Sequence, residues 1–360
     1  MATAKGLAVL CASAALAAGS ILTAIAATPP GTPAWPDVRE SILQLLEQRA
    51  LYRDKIDWPA ARQQIQQASG TAEADKILDQ LIASSTGNHG RWIRASQVSS
   101  QTGGMKRIAR AEELRRPHAQ EATSGQAPDR TDEADPIGWV SIPAFKESST
   151  ASPAVRDQQR LAFARQLQSQ LRKEDERDRC GWIVDLRQNQ GGNMWPMLVG
   201  IAPLLSTDPK HREVIGAFVG GPERQIWSID SGLVLLDERA PVALDSPAYS
   251  LRHPAPPVAV LIGPKTASSG EAVALAFRGR PATRSFGQPS AGYSTANVPT
   301  RLPDGSILLL TGSVSVDRNL KGDGGKLQPD VTVSNAADAE QTARNWLRAQ
   351  SQCHAVASNR

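Results

Sequence analysis

Val258-Ala259-Val260-Leu261-Ile262-Gly263-Pro264-Lys265-Thr266-Ala267-Ser268-Ser269-Gly270-Glu271 is an unbroken apolar run, a short polar loop and the start of an apolar helix near Ser269. An apolar run of this length without alternation suits a strand buried on both faces, which is how strands of a parallel sheet read. The same order recurs upstream, where Trp182-Ile183-Val184-Asp185-Leu186 runs into Asn189-Gln190-Gly191-Gly192 and then an apolar helical stretch from Met194 to Leu205. Before it lie a strand from Ile137 to Phe145 and an amphipathic helix from Arg156 to Arg172, with Leu161, Ala164, Leu167 and Leu171 on one side. After it come a short strand at Ala282 to Phe286, hairpin strands from Val298 to Val316 around Pro303-Asp304-Gly305, and a closing helix from Asp338 to Ala349. Strands alternating with helices imply βαβ units and an α/β core over residues 137–350.

Outside the core the pattern changes. From Trp35 to Ala83 apolar residues recur at helical spacing (Val38, Ile42, Leu45 and Leu46, then Ile77, Leu78, Leu81 and Ile82), so residues 35–95 form a small helical N-terminal subdomain. Residues 96–136, rich in Ser, Gly, Gln, Arg and Glu, are expected to be a flexible linker or flap. Lys5 precedes an uncharged Ala- and Leu-rich stretch, and Ala24-Ile25-Ala26 fits a small-x-small cleavage site, so residues 1–26 are expected to be a signal peptide. An uncleaved membrane anchor is the alternative reading of that stretch. With cleavage the protein is exported, periplasmic or secreted, and has no stable membrane insertion. Cys180 and Cys353 then stand in an oxidising compartment, where they either pair or remain two buried thiols.

Composition excludes several function classes. The chain has 360 residues, 40% of them hydrophobic, which is enough for a large core, so wholesale disorder is out. A net charge of +4 is small for this length, and basic residues are scattered among acids rather than gathered into a block. With aromatic residues at 4% and not interleaved with basic clusters, no nucleic-acid partner is expected. The five histidines are spread along the chain without a local ligand pattern, so no metal or other cofactor is expected.

Two loops carry the chemistry. A serine on the strand-to-helix turn at Ser268 or Ser269 presents its hydroxyl where free helix N–H groups favour a developing negative charge, which suits a nucleophile; a plain helix cap is the competing reading of the heptapeptide alone. In Asp185-Leu186-Arg187-Gln188-Asn189-Gln190-Gly191-Gly192, paired glycines let the backbone approach a ligand and turn an N–H outward as an oxyanion donor, or simply make a Gly-rich turn.

Together these segments resemble the serine peptidase family that contains the C-terminal processing (tail-specific) proteases and the tricorn core protease. The likeness rests on the Asp-Leu-Arg-x-Asn-x-Gly-Gly loop at 185–192, the Ser-x-x-Glu turn at 268–271, Gly-Gln-Pro at 287–289, Gln328-Pro329-Asp330, and in the leader Tyr52-Arg53, Ile56-Asp57-Trp58 and Leu81 to His89. The resemblance implies a crotonase-like (ClpP/crotonase-type) core, Ser268 as nucleophile, and an oxyanion hole from the Ser269 N–H with Gly191 or Gly192. Where the tail-specific branch carries its lysine base, this chain has Tyr293. Lys265 precedes the serine and is outside that slot. The resemblance is therefore closer to the tricorn-like and retinoid-binding-like branch, in which a histidine after the helical leader is the base, here His89 in Thr86-Gly87-Asn88-His89-Gly90-Arg91. That branch orients its histidine through the preceding residue, here Asn88, and a late acid. Asp323 in Gly322-Asp323-Gly324-Gly325 fits either that role or an ordinary turn. The stretch between His89 and Ile137 is too short for a flanking strand plus a PDZ module. The expectation is an exported serine endopeptidase of peptides or proteins working through an acyl-enzyme; the alternative is a catalytically weak or inactive protein that binds a peptide or an apolar ligand on the same fold.

Overall fold

The computed structural model describes residues 35–98, 135–147, 151–220, 223–244 and 249–358. The expected signal peptide and nearly all of the expected linker lie outside them. The chain is of the expected α/β class, built on two sheets of different character.

The first sheet is parallel throughout. Its strands are β2 (Ile137–Ser141), β3 (Gly181–Asp185), β7 (Val258–Ile262), β8 (Thr283–Gly287) and β11 (Val331–Thr332), in the order β11-β8-β7-β3-β2. The period of two divides each strand between two cores. Val140, Trp182, Val184, Val258 and Val260 face α4 (Pro153–Glu174), α5 (Met194–Gly200) and α7 (Ser269–Phe277). Ile137, Trp139, Ile183, Ala259 and Leu261 face α8 (Ala336–Arg348), through Ala339, Ala343 and Leu347. Burial of each large apolar side chain contributes about 1.5–3 kcal/mol, and Trp182, Ile183 and Leu261 are all buried to within 1%. Helix starts follow local chemistry. Ser152 caps α4 by accepting the Val155 N–H at 3.4 Å ahead of Pro153, and Asn335 caps α8 by accepting the Asp338 N–H at 2.9 Å. Cys180, just before β3, forms a disulfide with Cys353 on the C-terminal helix α9 (Ser351–Ser358).

The second sheet is antiparallel; its hairpin around Pro303-Asp304-Gly305 is the expected one, and its other strands were not expected. It runs β1-β10-β4-β5-β6, from β1 (Arg91–Ile93), β10 (Ile307–Val316), β4 (Glu213–Gly220), β5 (Glu223–Asp230) and β6 (Leu233–Leu236), with β9 (Thr295–Arg301) also paired to β10. Ile215, Trp227, Ile229 and Val234 pack it onto the α7 side of the parallel sheet. Its other function is to carry the leader. The leader supplies the helices α1 (Trp35–Arg49), α2 (Trp58–Gln67) and α3 (Thr71–Thr86), while α6 (Ala202–Leu205) lies in the main core. Val38, Ile42 and Leu46 of α1, together with Leu78 and Ile82 of α3, close over Leu308 and Leu310 of β10. The parallel sheet thus delivers the 185–192 and 265–271 loops to one place, and the antiparallel sheet brings the end of α3 and the start of β9 to the same place.

Candidate active site

Ser268 stands on the turn from β7 into α7 with φ 52 and ψ −116. A positive φ on a residue with a Cβ is costly, about 1–3 kcal/mol, and persists only where the surroundings over-determine it. What determines it is Glu271, one turn into α7 and 0% exposed. Its Oε2 accepts the Ser268 N–H at 2.7 Å and the Tyr293 N–H at 2.8 Å, while Oε1 accepts the Gly292 N–H at 2.9 Å and the Ser290 hydroxyl. Burial pushes its carboxyl upward, and these donors, which favour the charged form, offset part of that rise. One buried side chain therefore ties the backbone of Ser268 to the segment leading into β9.

His89 arrives from the other side. Gly87 and Asn88, at φ 63 and φ 62, turn the chain out of α3 toward β1. A Cβ on Gly87 would lie 2.7 Å from the Tyr52 ring, so glycine is required there by both conformation and space. Asn297 Nδ2 donates to the His89 carbonyl at 3.1 Å, and the Tyr293 ring lies against the imidazole with centroids 5.2 Å apart. The result is a pair that the sequence separates widely: His89 Nε2 is 3.0 Å from Ser268 Oγ, and Nδ1 is 2.6 Å from Thr295 Oγ1. With the ring proton on Nδ1, the imidazole donates to Thr295 and accepts the Ser268 hydroxyl proton at Nε2. Burial, aided by the charge of Arg91, lowers the His89 pKa to about 4, so the ring is neutral at pH 7.

Two of the expected site groups are engaged elsewhere. Asp323 has an exposed carboxylate that accepts the Gly325 N–H at 2.9 Å within its own turn, the ordinary-turn reading of the two open to it. Gly324 packs on the Thr295 methyl, where a Cβ would meet Cγ2 at 2.8 Å, and Thr295 holds the place at Nδ1. Of the paired glycines, Gly191 has its N–H taken by Asn189 Oδ1 at 2.9 Å. That leaves the Gly192 N–H and the Ser269 N–H as the donors with no acceptor among the described residues. Lys265 is also away from the nucleophile, its Nζ donating to Gln188 at 3.3 Å.

The glycine loop is fitted closely to the nucleophile. Fully buried Asn189 accepts the Ala267 N–H on its carbonyl at 3.0 Å and donates Nδ2 to the Ile142 carbonyl at 3.1 Å. A Cβ on Gly191 would be 2.9 Å from Ser268 Cβ, and one on Gly192 would be 1.9 Å from the Phe145 carbonyl oxygen. The Ser269 hydroxyl donates to the Gly192 carbonyl at 2.6 Å, clasping the two N–H-bearing segments together. Glu271, Thr295, Asn189 and Asn297 were outside the expected set of site residues. Glu271 and Asn189 carry a signal, as the acidic and amide positions of the two quoted motifs; Thr295 and Asn297 have none in the sequence. No group of three potential metal ligands occurs among the described residues.

With the geometry in hand, comparison with known proteins gives a consistent result. The family model described as Peptidase family S41 matches residues 136–333, more than half of the chain. The Nisin-resistance protein of Lactococcus lactis subsp. lactis is 34% identical over 196 residues, which is 54% of this chain and 57% of that protein, so the match spans little over half of that relative. The solved structure of a lipoprotein from Streptococcus agalactiae superposes with a TM-score of 0.62 at 24% identity, over 89% of this chain and 97% of that one. The photosystem II D1 C-terminal processing protease superposes with a TM-score of 0.53 at 14% identity, over 85% of this chain and 96% of that one. At these identities the two structures bear on the fold alone.

Proposed function

The chain belongs to peptidase family S41, and from that premise we propose that it is a serine-type peptidase that works through an acyl-enzyme on Ser268 with His89 as general base. The observation that carries the proposal is the hydrogen-bonded series Thr295, His89, Ser268 at 2.6 and 3.0 Å. In the first half-reaction His89 Nε2 takes the hydroxyl proton as Ser268 Oγ bonds to the peptide carbonyl carbon. The carbonyl electron pair moves onto oxygen, toward the Gly192 and Ser269 N–H groups. Imidazolium then protonates the leaving amine as the C–N bond breaks, and water deacylates the serine by the same path in reverse. Thr295 keeps the Nδ1 proton directed away from the serine.

A fluorophosphonate serine probe tests this proposal. Labelling of the peptide that contains residue 268 is expected, and silence at every pH would favour the alternative, a binding protein that keeps the cleft without chemistry. A hydrophobic N-terminal leader and a relative named for nisin resistance support an exported enzyme acting at or beyond the cell envelope. Nisin is a first peptide to assay beside unmodified ones. Among the described residues no helix is long and apolar enough to cross a membrane.

The depressed His89 pKa sets the pH profile. A base must be neutral to act, so kcat/KM is expected to hold down to about pH 4 before falling, well below the ordinary histidine value of about 6.5. Removing the like charge in Arg91→Ala should move that acid limb upward. A limb centred at or above the ordinary histidine value in the native enzyme would contradict the half-buried, neutral imidazole.

Thr295 and Asp323 separate by substitution. Thr295→Val keeps shape and loses a neutral hydrogen bond worth about 0.5–1.5 kcal/mol, so kcat should fall about three- to tenfold, with KM little changed. Asp323→Asn should leave kcat within about twofold, as a surface change away from any special feature does for stability. Steady-state turnover of both variants, with thermal melts, decides between them; the opposite ranking would restore Asp323 to the site.

A further inference from the structure

Gly192 carries one of the two N–H groups left for the oxyanion, and the peptide planes on both sides of it are held by Phe145. The Phe145 N–H donates to the Gly191 carbonyl at 3.2 Å, and the Phe145 carbonyl accepts the Asn193 N–H at 2.8 Å. Across a trans peptide a carbonyl and the N–H that follows it point in opposite directions. The bond that holds the Gly191 carbonyl on Phe145 therefore aims the Gly192 N–H away from Phe145. On that other side stands the nucleophile: a Cβ on Gly192 would run into the Phe145 carbonyl, whereas one on Gly191 would meet Ser268 Cβ at 2.9 Å and the Ser269 nitrogen at 3.2 Å. The direction of the oxyanion donor thus depends on where Phe145 is kept.

Phe145 lies beyond the end of β2, paired to the glycine loop by a single bridge at Gly192. Its ring rests on Phe163 of α4, with centroids 4.7 Å apart. Two residues further on, Glu147 fastens the segment through its carboxylate. Oε1 accepts Asn193 Nδ2 at 2.5 Å and Nε of Arg160, and Oε2 accepts Arg160 Nη2 at 2.9 Å. Arg160 belongs to α4, where it also donates to Asp157 at 2.9 Å. Asn193, the residue after the oxyanion donor, is held at both ends of its amide, since its Oδ1 accepts the Trp195 N–H at 2.9 Å at the start of α5. Burial by itself would raise the Glu147 carboxyl, but the bonds from Arg160 and Asn193 and the charges of Arg160 and Arg156 outweigh it and hold it below the ordinary glutamate value. The pair is therefore charged at neutral pH, and a guanidinium that meets a carboxylate at two points fixes geometry as well as distance.

We propose that Glu147 is a positioning residue of the acyl-transfer reaction. Its carboxylate joins Arg160 of α4 to Asn193, keeps the Phe145 segment against the glycine loop and so holds the Gly192 N–H on the oxyanion. The inference rests on the peptidase reading, with Ser268 as nucleophile, and concerns a residue whose hydrogen-bond partners are Arg160 and Asn193 rather than Ser268 or His89.

The test uses the full chain and whichever assay peptide, nisin or unmodified, the wild type turns over, together with the peptide aldehyde that ends at the residue before the cleaved bond. An aldehyde adds to the serine as a hemiacetal whose oxygen takes the oxyanion position, so its Ki reports the donors there, while KM follows ground-state binding. Losing an oxyanion donor outright costs about a hundred- to a thousandfold in kcat, and a displaced donor costs less. Glu147→Gln, which keeps an acceptor and loses the charge, should lower kcat about tenfold, raise the aldehyde Ki by about the same factor and leave KM within about twofold. Arg160→Gln should act in the same direction, and it carries the same comparison if Glu147→Gln does not fold. Combining Glu147→Gln with Asn193→Asp exchanges amide and carboxylate, so donor and acceptor pair again, the Trp195 N–H keeps its acceptor, and several-fold of the lost kcat should return. A merely structural role would lower the melting temperature without raising Ki and would not be rescued by the exchange. Native kcat in folded Glu147→Gln, a kcat that falls while Ki stays, or no recovery in the exchange variant would overturn the proposal. A wild type inert to the fluorophosphonate probe and to peptides would instead remove the peptidase reading, and this inference with it.

Discussion

Ser268→Ala is expected to end acylation outright and to lower peptide turnover on the order of a million-fold, the scale seen when a nucleophile that acts with its base is removed. His89→Ala should fall nearly as far, and the double variant no further, because the two side chains carry one proton transfer between them at 3.0 Å. Neither change should unfold the protein. The Ser268 hydroxyl is hydrogen-bonded to His89, and alanine keeps both the Cβ and the backbone that Glu271 holds. Ser268→Gly provides a second check on the same turn: it should be equally inactive yet more stable than Ser268→Ala by about 1 kcal/mol or more, since glycine adopts φ 52 freely. Mass-spectrometric detection of probe labelling, turnover assays and thermal melts on the four variants suffice. Retained turnover in Ser268→Ala would be fatal to the mechanism.

Glu271→Ala is expected to have the largest effect on stability of the single changes considered. It strands four donors at once, the N–H groups of Ser268, Gly292 and Tyr293 and the Ser290 hydroxyl, in a place closed to solvent. At about 1–3 kcal/mol for each unsatisfied group, the loss reaches the 4–5 kcal/mol that marks an exceptional mutation, a large part of the stability of an ordinary domain. Glu271→Gln removes less, because an amide oxygen still accepts while its NH₂ faces donors. That variant should fold with a lowered melting temperature and with kcat reduced about ten- to a hundredfold, as Ser268 and the segment that carries Thr295 lose their common anchor. Urea denaturation of both variants beside turnover of the glutamine form tests this. A glutamine variant with native stability and native kcat would show that Glu271 is not the anchor.

The structure also changes the expected behaviour of Ser269. From the sequence its contribution was a backbone N–H, which alanine retains. Because its hydroxyl holds the Gly192 carbonyl at 2.6 Å, Ser269→Ala should cost several-fold in kcat, the worth of one neutral hydrogen bond in positioning the donor opposite.

What was legible in the chain is what local chemistry dictates. Apolar runs at 182–184 and 258–262 are satisfied by burial on both faces, so they read as strands of a parallel sheet. The loops after them, with Ser268 and the paired glycines, could be placed because a strand-to-helix turn and a Gly-Gly turn declare themselves within a few residues. His89 was found through the leader motif, not through any local signal. The antiparallel strands β4, β5 and β6 were missed, since their burial comes in patches such as Ile215 to Ala217 and depends on packing against a distant core.

Tertiary structure alone decided which partners complete the site. Thr295 lies 206 residues from His89, and the pairing of β9 with β10 and of β10 with β1 brings them to 2.6 Å. From the sequence Asp323 fits either an orienting acid or an ordinary turn residue; its carboxylate closes its own turn, and Thr295 stands at the ring. Likewise no rule of sequence distinguishes the N–H of Gly191 from that of Gly192; the Asn189 side chain does, by accepting one and leaving the other. Periodicity and turn chemistry act over a few residues and are written into the chain, whereas a hydrogen bond across two sheets exists only where their packing sets the distance.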